Sequence, residues 1–139
     1  MTALIDTTAL LALLDGRHPE HFMTRHEFAL EIDMQDRIAV TDYVVVETID
    51  LARRRLGAGA VKLFVRDVLP ALEVEWVQPA DHALAVEILL ASQQQSSDPS
   101  GSDEQSLSLV DCTTFVVARR LGVSRRISLD ERFIREGLE

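Results

Sequence analysis

The 139-residue chain predicts an α/β fold: a single three-layer α/β/α domain over residues 1–139, with a mostly parallel sheet of roughly four to five strands. Two observations carry this. Short apolar runs read as buried strands, and they alternate with longer helical segments, a pattern that covers both faces of a parallel sheet with helices. The length suits one ordinary domain with a proper core.

Residues 2–6 form the first strand, ending in Asp6. Residues 7–14 are helical and are halted by Asp15-Gly16. His18-Pro19 restarts a longer helix to about Met34, with Phe22, Phe28, Leu30 and Ile32 among its apolar positions. Asp36-Arg37 is a turn and residues 38–41 the second strand. A helix over 43–56 closes at Gly57, a natural residue for a helix end. Residues 60–69 continue as helix and stop before Pro70. Residues 74–77 make the third strand, and Pro79 opens a helix to about Gln94. Residues 92–106, rich in Ser and Gln, read as a polar loop inside the domain, since too little chain follows to fold alone. A helix over 109–121 closes at Gly122, residues 126–129 form the last strand, and 130–135 a short closing helix.

With 47% hydrophobic and 27% charged residues, the composition is globular rather than disordered. Aromatics are few, so Leu, Val, Ile and Ala must build the core. The single cysteine, Cys112, excludes an internal disulfide framework and fits a reducing compartment. The N-terminus lacks the basic region of a signal peptide, and no apolar run approaches the roughly 18–20 residues of a membrane span. A cytoplasmic protein without membrane association is the expectation. The net charge of −9 argues against broad capture of nucleic acid through a basic footprint. A nuclease stays open, because catalytic acids add to the formal count. The clusters Arg53-Arg54-Arg55, Lys62 with Arg66, Arg119-Arg120 and Arg125-Arg126 read as solvated helix faces or helix ends.

Four acids sit in or end apolar segments: Asp6, Glu47, Asp111 and Asp130. Carboxylates are rarely buried without a partner, and four together repel unless a cation neutralises them. Topology brings them together. Asp6 and Asp130 follow strands, so they lie at the carboxyl edge of the sheet, where ligands of such folds bind. Glu47 lies under two turns into the helix after the second strand. Asp111 begins the helix leading to the last strand, and the polar loop, able to reach about 45–50 Å, can return the chain across a sheet about 17–20 Å deep.

Each acid also has a structural reading. Asp6 and Asp130 could be helix N-caps, and Ser108-Leu109-Val110-Asp111 fits a capping box. Glu47 sits mid-helix, sharing a face with Tyr43, Asp50, Leu51 and Arg54, where a salt bridge to Arg54 is the alternative. Jointly, the four form an oxygen-rich set suited to magnesium or manganese, and metal-bound water attacks phosphodiesters near neutral pH.

At these residues the chain resembles the PIN-domain ribonucleases, particularly the VapC-type toxins of type II toxin–antitoxin pairs. The carrying segments are Leu4-Ile5-Asp6-Thr7-Thr8-Ala9-Leu10-Leu11-Ala12-Leu13, Thr41-Asp42-Tyr43-Val44-Val45-Val46-Glu47-Thr48, Leu107-Ser108-Leu109-Val110-Asp111-Cys112 and Ser128-Leu129-Asp130-Glu131-Arg132-Phe133. The resemblance spans essentially the whole chain. It implies metal-dependent endoribonuclease activity leaving 5′-phosphate and 3′-hydroxyl ends. Asp6, Glu47 and Asp111 are then the Mg2+ or Mn2+ ligands, Asp130 a fourth catalytic and metal-site acid, and Thr8 a supporting hydroxyl. It also implies a cognate antitoxin and a homodimer, for which the apolar faces of the helices over 20–34 and 42–70 are candidates. Arg17, Arg53, Arg54 and Arg132 are candidate phosphate contacts.

Other classes fit less well. A haloacid-dehalogenase-like phosphohydrolase wants a second Asp at position 8, which is Thr, and a late Lys, whereas the one Lys is Lys62. A receiver domain lacks its Asp after strand three. A non-catalytic PIN-like binding module predicts a lost acid, and the set is intact. His18, His21, His26 and His82 read as surface residues, and Cys112 as a small core residue.

Overall fold

The computed structural model describes residues 1–95, 107–123 and 125–130. Four strands form one sheet: β1 (Thr2–Ile5), β2 (Arg37–Thr41), β3 (Glu73–Glu75) and β4 (Arg125–Ile127), in the order β3-β2-β1-β4. All three pairings are parallel, with Ala3 opposite Ile38, Leu4 opposite Arg126 and Val40 opposite Val74. The fold class expected from the sequence is the one observed.

The chain steps outward from β1 to β3 and then crosses back to place β4 on the other side of β1. That reversal opens a crevice beyond the carboxyl ends of the central strands. Between strands run α1 (Thr7–Leu14), α2 (His21–Asp33), α3 (Asp42–Arg55), α4 (Ala58–Leu63), α5 (Pro79–Gln95) and α6 (Leu109–Leu121).

Strand periodicity sorts the core into two faces. Ala3, Ile5, Ile38 and Val40 turn to one side, against Leu10 of α1, Val44 and Ala52 of α3, and Phe64. Leu4 and Ala39 turn to the other, against Phe115 and Ala118 of α6, and α6 packs in turn on α5 through Cys112, Val116 and Ala85. Each fully buried Leu, Ile or Phe contributes roughly 1.5–3 kcal/mol. Cys112 is a buried core residue as expected.

Several boundaries differ from expectation. The helix expected over 60–69 starts at Ala58, ends at Leu63, and passes through a widened turn over Phe64–Val68 and a tight one over Leu69–Ala71. Burying Phe64 and Val68 against the sheet sets that geometry. Asp36-Arg37 is not wholly a turn, because Arg37 already pairs with β1. α2 starts at His21 rather than His18, since His18 N–H and His21 N–H close successive turns onto Asp15 and His18 carbonyls. The expected polar loop is helical at its start, because α5 runs to Gln95; its remainder, and residues 131–135 of the expected closing helix, lie outside the described residues. Asp130 itself is not helical.

Candidate functional site

The carboxyl edge of the sheet gathers polar side chains from three elements. Asp6 follows β1 directly and caps α1, its Oδ1 accepting the Ala9 backbone N–H at 3.1 Å and the Thr8 hydroxyl at 2.7 Å. Its Oδ2 accepts the Ser128 hydroxyl from beyond β4. Capping accounts for an Asp here, but the residue is only 6% exposed, deeper than a cap requires. Burial pushes the carboxyl pKa up to about 6, the hydrogen bonds from Ser128, Thr8 and Ala9 hold it down, and the Asp130 charge adds to the rise.

Thr8 ties the two strand ends together. Its Oγ1 donates to Asp6 and accepts the backbone N–H of Leu129 at 3.0 Å.

Glu47 shares a face of α3 with Leu51 and Arg55, one and two turns on. Burial raises its pKa, Asp111 raises it further, and Thr7 and Arg55 oppose the rise. The Thr7 hydroxyl is buried and meets no partner at strict hydrogen-bond geometry, so it acts on Glu47 as a nearby dipole. The alternative salt bridge to Arg54 does not form: Arg54 pairs with Asp50 at 2.8 Å, as Arg53 does at 3.4 Å.

Asp111 enters from α6. The capping box is present, with Ser108 Oγ accepting the Asp111 N–H at 3.0 Å and the Asp111 carboxylate accepting the Ser108 N–H at 3.0 Å. Its structural and its site positions coincide, because the start of α6 faces α1 and α3.

Asp6, Glu47 and Asp111 line one cavity of about 160 Å³, walled by Leu11, Val44, Leu51 and Val110. Apolar walls strengthen every charge interaction inside. Asp130 does not line it; its N–H donates to Ser128 Oγ at 2.9 Å, so it meets Asp6 through that hydroxyl. Two further residues belong here that the sequence does not single out as site residues. Ser128 was visible only as part of a matching segment, and Arg55, which borders the cavity, was passed over for Arg53 and Arg54. Its spacing of eight from Glu47, two helical turns plus a fraction, was the available signal.

A second, larger groove of about 570 Å³ opens alongside and shares Thr8, Leu11 and Arg55 with the acidic cavity. Among the other candidates, Arg17 donates its backbone N–H to Asp15, and Arg132 lies outside the described residues. Three histidines are half-buried rather than surface groups. His18 Nδ1 accepts the Glu20 N–H, His21 Nδ1 bonds the Ala12 carbonyl, and His82 meets the Tyr43 hydroxyl at 2.7 Å.

The donor set is entirely oxygen, the kind that hard divalent cations prefer, and burial, helped by a neighbouring acid in each case, raises the Asp6 and Glu47 pKa values. Among the described residues, no three His, Cys, Asp or Glu side chains yet stand close enough to close on an ion. None of the described helices is long and apolar enough to cross a membrane.

No curated protein sequence matches the chain. Among solved structures it is similar to VapC20 of Mycobacterium tuberculosis, a sarcin–ricin-loop-cleaving toxin, at a TM-score of 0.78 and 24% identity over 99% of this chain and 96% of that one. It is also similar to FitAcB of Neisseria gonorrhoeae, at a TM-score of 0.65 and 11% identity over 98% and 94%. The family model of the PIN domain matches residues 3–137. The chain belongs to the PIN domain family.

Proposed function

We propose that this protein is a divalent-metal-dependent endoribonuclease and the toxin of a toxin–antitoxin pair. The observation that carries the reading is the meeting of Asp6, Glu47 and Asp111, from three separate elements, around one small cavity. In it, these three side chains hold Mg2+ or Mn2+, and a bound ion supplies an activated water and Lewis acidity toward the phosphodiester. Asp6 is held in one orientation by Thr8 and Ser128. Asp130 acts one step removed, orienting Ser128 through its backbone N–H. The apolar wall formed by Leu11, Val44 and Val110 limits water around the site.

The toxin part rests on the likeness to VapC20 and on exposed apolar side chains on the expected partner helices. Phe22 and Met23 on α2 are 75% and 65% exposed, and Val46 on α3 is 68% exposed. These faces suit an antitoxin and a second copy of the chain, within a cytoplasmic, single-domain protein.

The second reading, a PIN-like module that binds RNA or protein without cutting, has one observation in its favour: the three acids do not yet converge to chelating distance. RNA cleavage separates the two. The nuclease cuts RNA with manganese or magnesium, stops with EDTA, and is abolished by Asp6→Asn with the fold intact. Equal cleavage by the variant would mean a contaminating nuclease or a different site. A small protein with a DNA-binding head encoded immediately upstream would support the toxin part.

A further inference from the structure

We propose that the groove of about 570 Å³ beside the acidic cavity is a nucleotide subsite. Arg55 holds a backbone phosphate at its junction with the cavity, and Asp15 and Glu20 favour a base bearing an exocyclic amine. This deepens the ribonuclease reading and rests on it.

The groove has the size of a small-molecule site, which typically spans about 300–1,000 Å³. Its apolar lining, Leu11, Leu56 and Leu129, offers a surface for a base. Its polar lining is Asp15, His18 and Glu20, with Thr8 and Arg55 where it meets the acidic cavity. His18 Nδ1 accepts the Glu20 N–H at 3.0 Å, which leaves Nε2 as the proton-bearing nitrogen of the neutral ring. Carboxylates accept hydrogen bonds from an amine such as the cytosine N4 group; uracil offers no amine.

Arg55 borders both the groove and the acidic cavity. Its neighbours Arg53 and Arg54 are paired with Asp50, and Arg37, Arg120 and Arg125 also hold carboxylates. Arg55 makes no hydrogen bond or ion pair among the described residues. It answers Glu47 only at longer range, holding that carboxyl's pKa down. A guanidinium without an acceptor, placed where a polyanion must pass three carboxylates, supplies both local charge and a bidentate phosphate fork. In a chain of net charge −9, that local cation matters more than the overall field.

The test is fluorescence anisotropy of the full chain in EDTA with 5′-labelled ten-nucleotide oligomers of rC, rA and rU. Arg55→Ala, at an exposed position, is expected to weaken all three roughly five- to tenfold and to lower the salt slope by about 0.7. Arg55→Lys should restore the slope but only part of the affinity. The Asp15→Asn, Glu20→Gln double variant should narrow the preference of rC and rA over rU. Circular dichroism verifies that each variant is folded. Unchanged affinity and slope in Arg55→Ala, or no measurable binding by the wild type, overturns the subsite. Cleavage of the same oligomers in manganese keeps the two ideas apart. Arg55-dependent binding without cleavage retains the subsite and sinks the nuclease reading. Cleavage indifferent to Arg55→Ala sinks the subsite alone.

Discussion

Ser128 and Asp6, 122 residues apart in sequence, are joined side chain to side chain, the Ser128 hydroxyl donating to Asp6 Oδ2. The bond links the end of β4 to the end of β1 and fixes the orientation of a helix-capping carboxyl that also lines the cavity. Removing the hydroxyl takes away a donor that stabilises the ionised carboxyl. Ser128→Ala should therefore lower manganese affinity or cleavage rate by about 10- to 100-fold, the range for a lost outer partner of a metal ligand. Ser128→Thr should recover most of it. Unchanged titration of cleavage against manganese would refute this positioning role.

Asp6 makes the metal-free protein sensitive to pH in a defined direction. Its folded pKa of about 6 lies above the ordinary 3.8. The native state therefore binds more protons than the unfolded state between those values, and stability falls as pH rises through the window. The accumulated cost above pH 6 is about 3 kcal/mol, and the raised Glu47 adds in the same sense. In EDTA, Asp6→Asn should raise Tm at pH 7 and flatten the decline between pH 4 and 6. Parallel Tm curves for the two proteins would contradict it.

On the proposed reading, metal binding expels the proton that burial favours on Asp6. Near pH 6 manganese binding should release about half a proton or more from the wild type. Calorimetry in two buffers of different ionisation enthalpy measures this directly. Asp6→Asn should release less, and equal release from both proteins would remove Asp6 from the ligand set.

Position relative to the cavity ranks the acids. Asp6, Glu47 and Asp111 line it, and Asp130 does not. Glu47→Gln and Asp111→Asn should each cost at least about 100-fold in cleavage, whereas Asp130→Asn, which keeps the backbone N–H on Ser128 and removes only a charge near Asp6, should cost less than about 10-fold. Because Asp111 also closes the capping box, its variant should lose up to about 1 kcal/mol of stability as well. A loss from Asp130→Asn as large as that from Glu47→Gln would reverse the assignment.

Far from the site, Arg120 of α6 bonds Asp81 through Nε at 3.1 Å and Glu75 through Nη1 at 3.0 Å. It ties α6 to α5 and to the edge strand β3. Asp81 is buried, so Arg120→Ala leaves it without its cation. Partial exposure of Arg120 limits the penalty to about 1–2 kcal/mol, read as a lower urea midpoint with cleavage unchanged. A midpoint equal to wild type would show that water replaces the guanidinium without cost.

The layered fold and the carboxyl-edge meeting of Asp6, Glu47 and Asp111 were legible because they depend on order. Strand, helix and strand in succession leave few parallel topologies, and a residue following a parallel strand has one edge to occupy. Local chemistry was legible for the same reason: the Asp6 cap, the Ser108–Asp111 box and the left-handed Gly122 are each decided within four residues. The widened turn at Phe64–Val68 was not, since it follows from which face of the sheet Phe64 must reach.

By itself, then, the sequence determined the alternation of elements and pointed to four acids at one sheet edge, of which Asp6, Glu47 and Asp111 line the cavity and Asp130 does not. Tertiary structure alone decided three further points. Ser128 became the link between Asp130 and Asp6. Glu47 shared its face with Arg55, leaving Arg54 to Asp50. A groove ran on from the cavity past His18 and Glu20. The physical reason is range. Helical period and capping act between neighbours in the chain, whereas hydroxyl orientation, guanidinium pairing and cavity shape are settled by side chains that meet only after the sheet has assembled.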